Sequence, residues 1–169
     1  TTSATYRQAA APDAGALRID GSNRLLWRHT PRRLDAEELR DAILAVAGTL
    51  ERAVGGPGYR DFHMRLHKGS WFYDPIDPEG AEFNRRSIYR TWARGSLHPL
   101  LHAFDCPDPS TTTPARGLTT TPLSALALLN TSFVLRMADH FAARLRDEAG
   151  DQPEGQIVRA YRPAFARDP

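Results

Sequence analysis

The chain has 169 residues, 41% hydrophobic and 25% charged, a balance that excludes disorder throughout and is long enough for one domain with a packed core. No stretch approaches the roughly 20 apolar residues that would span a bilayer. The formal net charge is only +2, with acidic residues scattered among the arginines, and no single-sign basic stripe marks a nucleic-acid binder.

Lys68 is the sole lysine, so the positive charge is almost all arginine. Arginine suits bidentate grip on carboxylate, sulfate or phosphate, and its abundance is also what a GC-rich genome produces. Cys106 is the only cysteine. Within this chain it excludes an internal disulfide, a cysteine-based zinc site and covalently attached haem, which needs C-x-x-C-H. Asp105 and Asp108 flank it, and nearby negative charge keeps a thiol protonated, so it reads as a buried, inert residue.

Residues 1–22 mix Ala, Pro, Gly, Ser and Asp without periodicity and read as an extended arm before a single domain over 23–169. The start, TTSATYRQAAAPDAG, has neither the basic opening nor the apolar run of a signal peptide, and it begins on Thr. It is expected to be a mature protein or an excised piece. Asn23 to Arg28 forms a short amphipathic segment.

The clearest helix begins at Asp35. Glu38 completes a capping box, and Leu34 and Leu39 stand at the two staple positions. Leu39, Ile43, Val46, Leu50 and Val54 recur at steps of three and four, so the helix is expected to run until Gly55-Gly56-Pro57 stops it. Phe62, Met64 and Leu66 then alternate with His63, Arg65 and His67, the period of a half-buried strand. Gly69-Ser70 interrupts, and Trp71-Phe72-Tyr73 resumes. Asp74 to Gly80 is a carboxylate-rich turn, and calcium is the alternative reading of its oxygens. Ser87 to Trp92 is a second strand, expected to pair with the first across that loop.

The remainder reads as helical. Pro99 starts a short helix through Leu100, Leu101 and Phe104. Thr121 caps another, with Pro122 at its first position and Leu123, Leu126, Ala127 and Leu129 following. Asn130-Thr131-Ser132 breaks it before Phe133, Val134, Met137, Phe141 and Leu145. A last segment holds Ile157, Val158, Tyr161 and Phe165, with Pro163 predicting a kink or an early end. Arg167-Asp168-Pro169 reads as the start of a further helix, so truncation at both ends relative to a parent protein is expected. The fold class is therefore mainly α, a helical domain with a small two-stranded β element.

Ala4 to Gln8, NRLLWR at Asn23 to Arg28, PRRLDAEELRDAILAVAG at Pro31 to Gly48, RRSIYRTW at Arg85 to Trp92, FDCPDPSTTTPAR at Phe104 to Arg116 and TTTPLSALALLN at Thr119 to Asn130 stand together in order. In this the chain resembles the PSD-one domain of unknown function, the C-terminal region of large exported proteins best represented in planctomycetes. The resemblance implies a preceding second domain, often behind a haem-c-binding segment, and a periplasmic or extracytoplasmic setting. It supplies no catalytic residue. Pro163 departs from the pattern, since relatives commonly have an ordinary helix former there.

Candidate chemistry is sparse. His63 and His67, on a strand, lie about 13 Å apart, too far for one ion. His98 and His102 straddle Pro99 and read as helix-end histidines. Arg85, Arg86 and Arg90, with Tyr89 and Trp92 interleaved, form a candidate face for an anionic glycan: guanidinium forks on the anion, aromatics on the sugar rings. Asp105 and Asp108 are the carboxylates nearest that face in sequence. The alternative is that the arginines pair with the domain's own acidic loops or with the preceding domain. The expected function is a noncatalytic accessory or interaction module of an exported, cytochrome-associated bacterial protein, binding the preceding domain and an anionic polysaccharide. The competing expectation is a hydrolase or lyase on anionic polysaccharide. No cofactor is expected in this chain; haem c is expected elsewhere in the parent.

Overall fold

A computed structural model describes residues 2–169. The chain is mainly α-helical, with six α-helices and one two-stranded antiparallel sheet among the described residues. It divides into two compact units, the first ending at Arg33 and the second spanning Leu34–Pro169.

The first unit is a knot of turns around one short helix, α1 (Ala14–Ile19). Asp13 caps it, accepting from Ala16 N at 2.7 Å. Asp20 then accepts from Leu25 N at 2.7 Å and Arg24 N at 3.0 Å, and the Leu25 bond is the largest influence holding its carboxyl below the usual range. Residues 1–22, expected to be extended, thus contain α1; six residues are too few to show helical periodicity.

In the second unit α2 (Ala36–Ala47) opens on the predicted capping box at Asp35 and Glu38. It does not reach Val54. Gly48 adopts φ 81° and ends it, and Thr49 and Leu50 both return their N–H groups to Leu44 O. Arg144 of a later helix caps the free carbonyls, donating to Val46 O at 2.9 Å. Leu50 still packs on the core from outside the helix, whereas Val54 is 92% exposed.

The expected strand pairing is corrected. β1 (Phe62–His67) pairs with β2 (Ser70–Pro75), Phe62 opposite Pro75 and His67 opposite Ser70. The two-residue link Lys68-Gly69 has φ 48° and 78°, the left-handed pair that a tight hairpin demands. Ser87–Tyr89 is a 3₁₀ turn, not a strand. The Asp41 carboxylate pins its start, accepting from Ser87 N and Ser87 Oγ, both at 2.7 Å. The segment still lies beside the chain entering β1, through Tyr59 N to Tyr89 O (3.0 Å) and Thr91 N to Tyr59 O (2.8 Å). Of β1 only Phe62, at the base, is buried.

Four further helices complete the unit: α3 (Pro99–His102), α4 (Pro122–Asn130), α5 (Ser132–Ala149) and α6 (Pro153–Phe165). Thr121 caps α4 as predicted, accepting from Ser124 N at 3.2 Å, and the break falls at Thr131. α6 runs two residues past Pro163 to Phe165. The main core joins Leu44 and Ala47 of α2, Leu100 of α3, and Phe133 and Met137 of α5. Ala36, Leu101 and Cys106 form a second cluster. Three of the α4 leucines face out: Leu123, Leu126 and Leu129 are 68%, 51% and 68% exposed. The inward face carries Ser124, whose hydroxyl donates to Ala103 O at 2.7 Å, and Ala127, which packs on the main core.

Candidate functional site

Two polar assemblies converge on the first two turns of α2. The outer one is a groove of about 370 Å³. Asp35, Glu37, Glu38 and Asp41 line one side, placed there because carboxylates stabilise a helix N-terminus. Arg86, Ser87, Ile88, Trp92 and Arg116 complete the lining. Arg116 grips Glu37 with both nitrogens, Nη1 to Oε2 at 2.6 Å and Nη2 to Oε1 at 2.9 Å. That bond holds the Glu37 carboxyl below its ordinary range against the opposing effect of burial. Asp41 Oδ2 lies 3.9 Å from Arg86.

Behind Glu37, the Cys106 Sγ stands 3.8 Å from its Oε1. Burial first, then the Glu37 charge, pushes this thiol up to about 12, as an inert cysteine requires.

The inner assembly is buried. Arg40 occupies the apolar face of α2, one turn before Leu44, and donates to Phe83 O (2.6 Å) and Arg85 O (3.0 Å). Its guanidinium lies 5.2 Å from the Tyr59 ring centre and 5.4 Å from that of Phe133. Arg90 Nε donates to Asp61 Oδ2 at 2.7 Å, with the two side chains 1% and 5% exposed. His98 caps α3: its Nδ1 accepts from Leu101 N at 3.4 Å, which leaves the proton on Nε2, 3.5 Å from Asp61 Oδ2. Burial drives the His98 imidazole down to about 4, opposed by Asp61 and reinforced by the guanidiniums of Arg90 and Arg40. Burial likewise raises the Tyr59 hydroxyl to about 12.

The seven residues singled out from sequence are distributed among separate tasks. Arg86 and Trp92 share the outer groove. Arg85 lies 3.9 Å from the Tyr89 ring centre and donates to the carbonyls of Gly55 and Pro57, while Gly55 N donates to Tyr89 Oη at 2.8 Å. The pair therefore staples loop 53–57. Arg90 is internal, its guanidinium 4.5 Å from the Trp92 ring centre. Asp105 accepts from Thr119 N (2.8 Å) and Thr119 Oγ1 (2.7 Å), and Asp108 from Ser110 N (2.8 Å); both serve turns.

The acidic stretch at the end of β2 and in the loop after it is also answered from within. Asp74 pairs with Arg65 at 3.0 Å, and Asp77 takes Arg136 through both oxygens, at 2.6 and 2.8 Å. Sequence reasoning missed Arg40, Tyr59, Asp61, Glu37 and Arg116. Only Arg40 carried a signal, an arginine in register with Ile43, Leu44 and Ala47 on an apolar face.

The space beside Tyr59, Asp61 and His98 is about 20 Å³, room for water and not for a sugar. Among the described residues no group of three or more metal-ligating side chains assembles, and no helix is long and apolar enough to cross a membrane.

A family model, PSD1, described as "Protein of unknown function (DUF1553)", matches residues 1–169. No curated protein and no solved structure matches the chain.

Proposed function

We propose, from the premise that this chain belongs to the PSD1 family of proteins of unknown function, that it is a noncatalytic interaction module of an exported, cytochrome-associated protein. Its partner in this reading is the domain that precedes it in the parent. The observation that carries the proposal is the outer face of α4. Leu123, Leu126 and Leu129 follow one another at steps of three on a helix whose only fully buried residue is Ser124. A helix apolar on all sides belongs inside a protein, and uncovered stripes of this kind mark association surfaces. Covering each leucine contributes about 1–2 kcal/mol.

The arginines support the same reading from the other side. Arg40, Arg85, Arg90, Arg116 and Arg136 are held by carbonyls and carboxylates of this chain. The outer groove sets two arginines against four carboxylates, a negative balance that an anionic polysaccharide would meet with repulsion. Covalent haem would be held by another segment, because a lone cysteine provides no C-x-x-C-H.

The test is photo-cross-linking within the exported parent protein. Benzoylphenylalanine in place of Leu126 should join α4 to the preceding domain, and the same group in place of exposed Asp151 should not. Equal yields from the two positions, or no cross-link to that domain from position 126, would refute the proposal.

A further inference from the structure

The small cavity at the base of the hairpin has a specific defect in its hydrogen bonding. Tyr59 and Asp61 line it, and they are 6% and 3% exposed. Tyr59 Oη and Asp61 Oδ1 are both buried and lack any partner in the protein. An unsatisfied buried hydroxyl or carboxylate oxygen destabilises a fold measurably, and a charged one more so. The other carboxylate oxygen, Asp61 Oδ2, is committed to Arg90 Nε at 2.7 Å and faces His98 Nε2 at 3.5 Å. Arg90 Nη1 and Nη2 are likewise buried without a partner in the protein, and the cavity that Tyr59 and Asp61 line is a space in which a partner can stand.

Size and charge decide what that partner is. The cavity measures about 20 Å³. One water needs roughly 10–15 Å³ in the same measure, so a single water fits and a sugar, nucleotide or carboxylic acid does not. A cation would meet the Arg40 guanidinium in the lining, and an anion would meet the carboxylates of Asp61 and Asp77. A neutral group that both donates and accepts meets neither penalty. We propose that this cavity is a built site for one ordered water, which accepts from the Tyr59 hydroxyl and donates to Asp61 Oδ1.

The surrounding chemistry agrees. The Tyr59 hydroxyl keeps its proton at every physiological pH, so it is a permanent donor. Asn84 lines the same cavity. The water also has a structural task. Tyr59 holds the 89–91 segment through its backbone, and Asp61 holds Ile76 N through its carbonyl at 2.9 Å and Arg90 through its carboxylate. One bridging molecule thus links the two residues that fasten the hairpin to the helical core.

A crystal structure of the protein at a resolution that shows ordered water tests the site directly. The expected result is a density peak about 3 Å from both Tyr59 Oη and Asp61 Oδ1. An open cavity without a peak overturns the proposal. So does Tyr59 Oη bonded straight to Asp61 Oδ1, or a peak ringed by five or six oxygens in the manner of a metal ion. The Tyr59→Phe protein supplies a second readout: deuteron relaxation dispersion should count one long-lived water fewer than in the unaltered protein. Equal counts would remove the bridge. Should Tyr59→Phe fail to fold, the density in the unaltered protein still decides the matter.

Discussion

His98 makes stability depend on pH in a window set by its burial. An unfolded histidine titrates near 6.5, whereas this one is driven down to about 4 in the fold. Between those values the unfolded chain binds a proton that the fold refuses. Stability therefore rises with pH across the window, is complete above about pH 6.5, and has lost this contribution below about pH 4. The displacement corresponds to roughly 3 kcal/mol, and geometry supplies a second reason for the sign. Protonated Nδ1 could no longer accept from Leu101 N, so charging the ring also uncaps α3. His98→Asn isolates the effect, because asparagine keeps a cap acceptor and does not titrate. Urea unfolding followed by tryptophan fluorescence, from pH 4.5 to 7.5, gives the stability of each protein. The unaltered protein minus His98→Asn should fall by about 2–3 kcal/mol on acidification. A flat difference would refute the reasoning. A difference that grows at low pH would show that Asp61 outweighs burial and that the fold welcomes the imidazolium.

Other perturbations probe the remaining contacts. Arg90→Met strands the Asp61 carboxylate in a buried site and should cost about 3–5 kcal/mol in the same urea assay; a loss under about 1 kcal/mol would mean that the pair is not desolvated as the structure has it. Gly58→Ala places a Cβ 2.7 Å from Tyr89 O, where the Tyr59–Tyr89 backbone contact must give way. Calorimetry should show a loss of about 1–3 kcal/mol, and an unchanged melting temperature would contradict that close approach. Cys106, with its thiol pushed up to about 12, should resist iodoacetamide at neutral pH until the protein is denatured. Stoichiometric alkylation of the native protein, read by mass spectrometry, would show the thiol to be accessible and ionised.

What the sequence made legible was local. Asp35 with Glu38, Thr121 with Pro122, and the break at Thr131 each depend on residues within four positions, and each appears in the structure. Errors arose where a distant group decided the outcome. The periodic row from Leu39 to Val54 continues past Gly48, but Gly48 takes the left-handed turn and Arg144, 98 residues away from Val46, caps the exposed carbonyls. Ser87–Trp92 has strand composition, but the Asp41 carboxylate fixes a turn at Ser87, 46 residues distant. The inner assembly was invisible for the same reason. Asp61 looks like any acid beside a strand until Arg90 and His98 are brought to it from loop and helix start.

The α4 helix shows how an ambiguous pattern can carry information. Leucine and alanine at Leu123, Ala125, Leu126, Ala127, Leu128 and Leu129 leave no polar face, so composition cannot say which side turns inward. In the structure Ser124 donates to Ala103 O at 2.7 Å and Ala127 packs on the main core, so Leu123, Leu126 and Leu129 are left outward. In a self-sufficient domain the opposite assignment would be favoured, with Ser124 in water and the leucines in the core, because each leucine turned inward contributes roughly 1.5–3 kcal/mol against about 1 kcal/mol for the serine bond. That the serine faces in, and that leucines rather than charged residues occupy the outer face, is what the proposed contact with a preceding domain would explain. The leucines that make α4 apolar in sequence fit the proposed contact between this chain and a neighbouring domain.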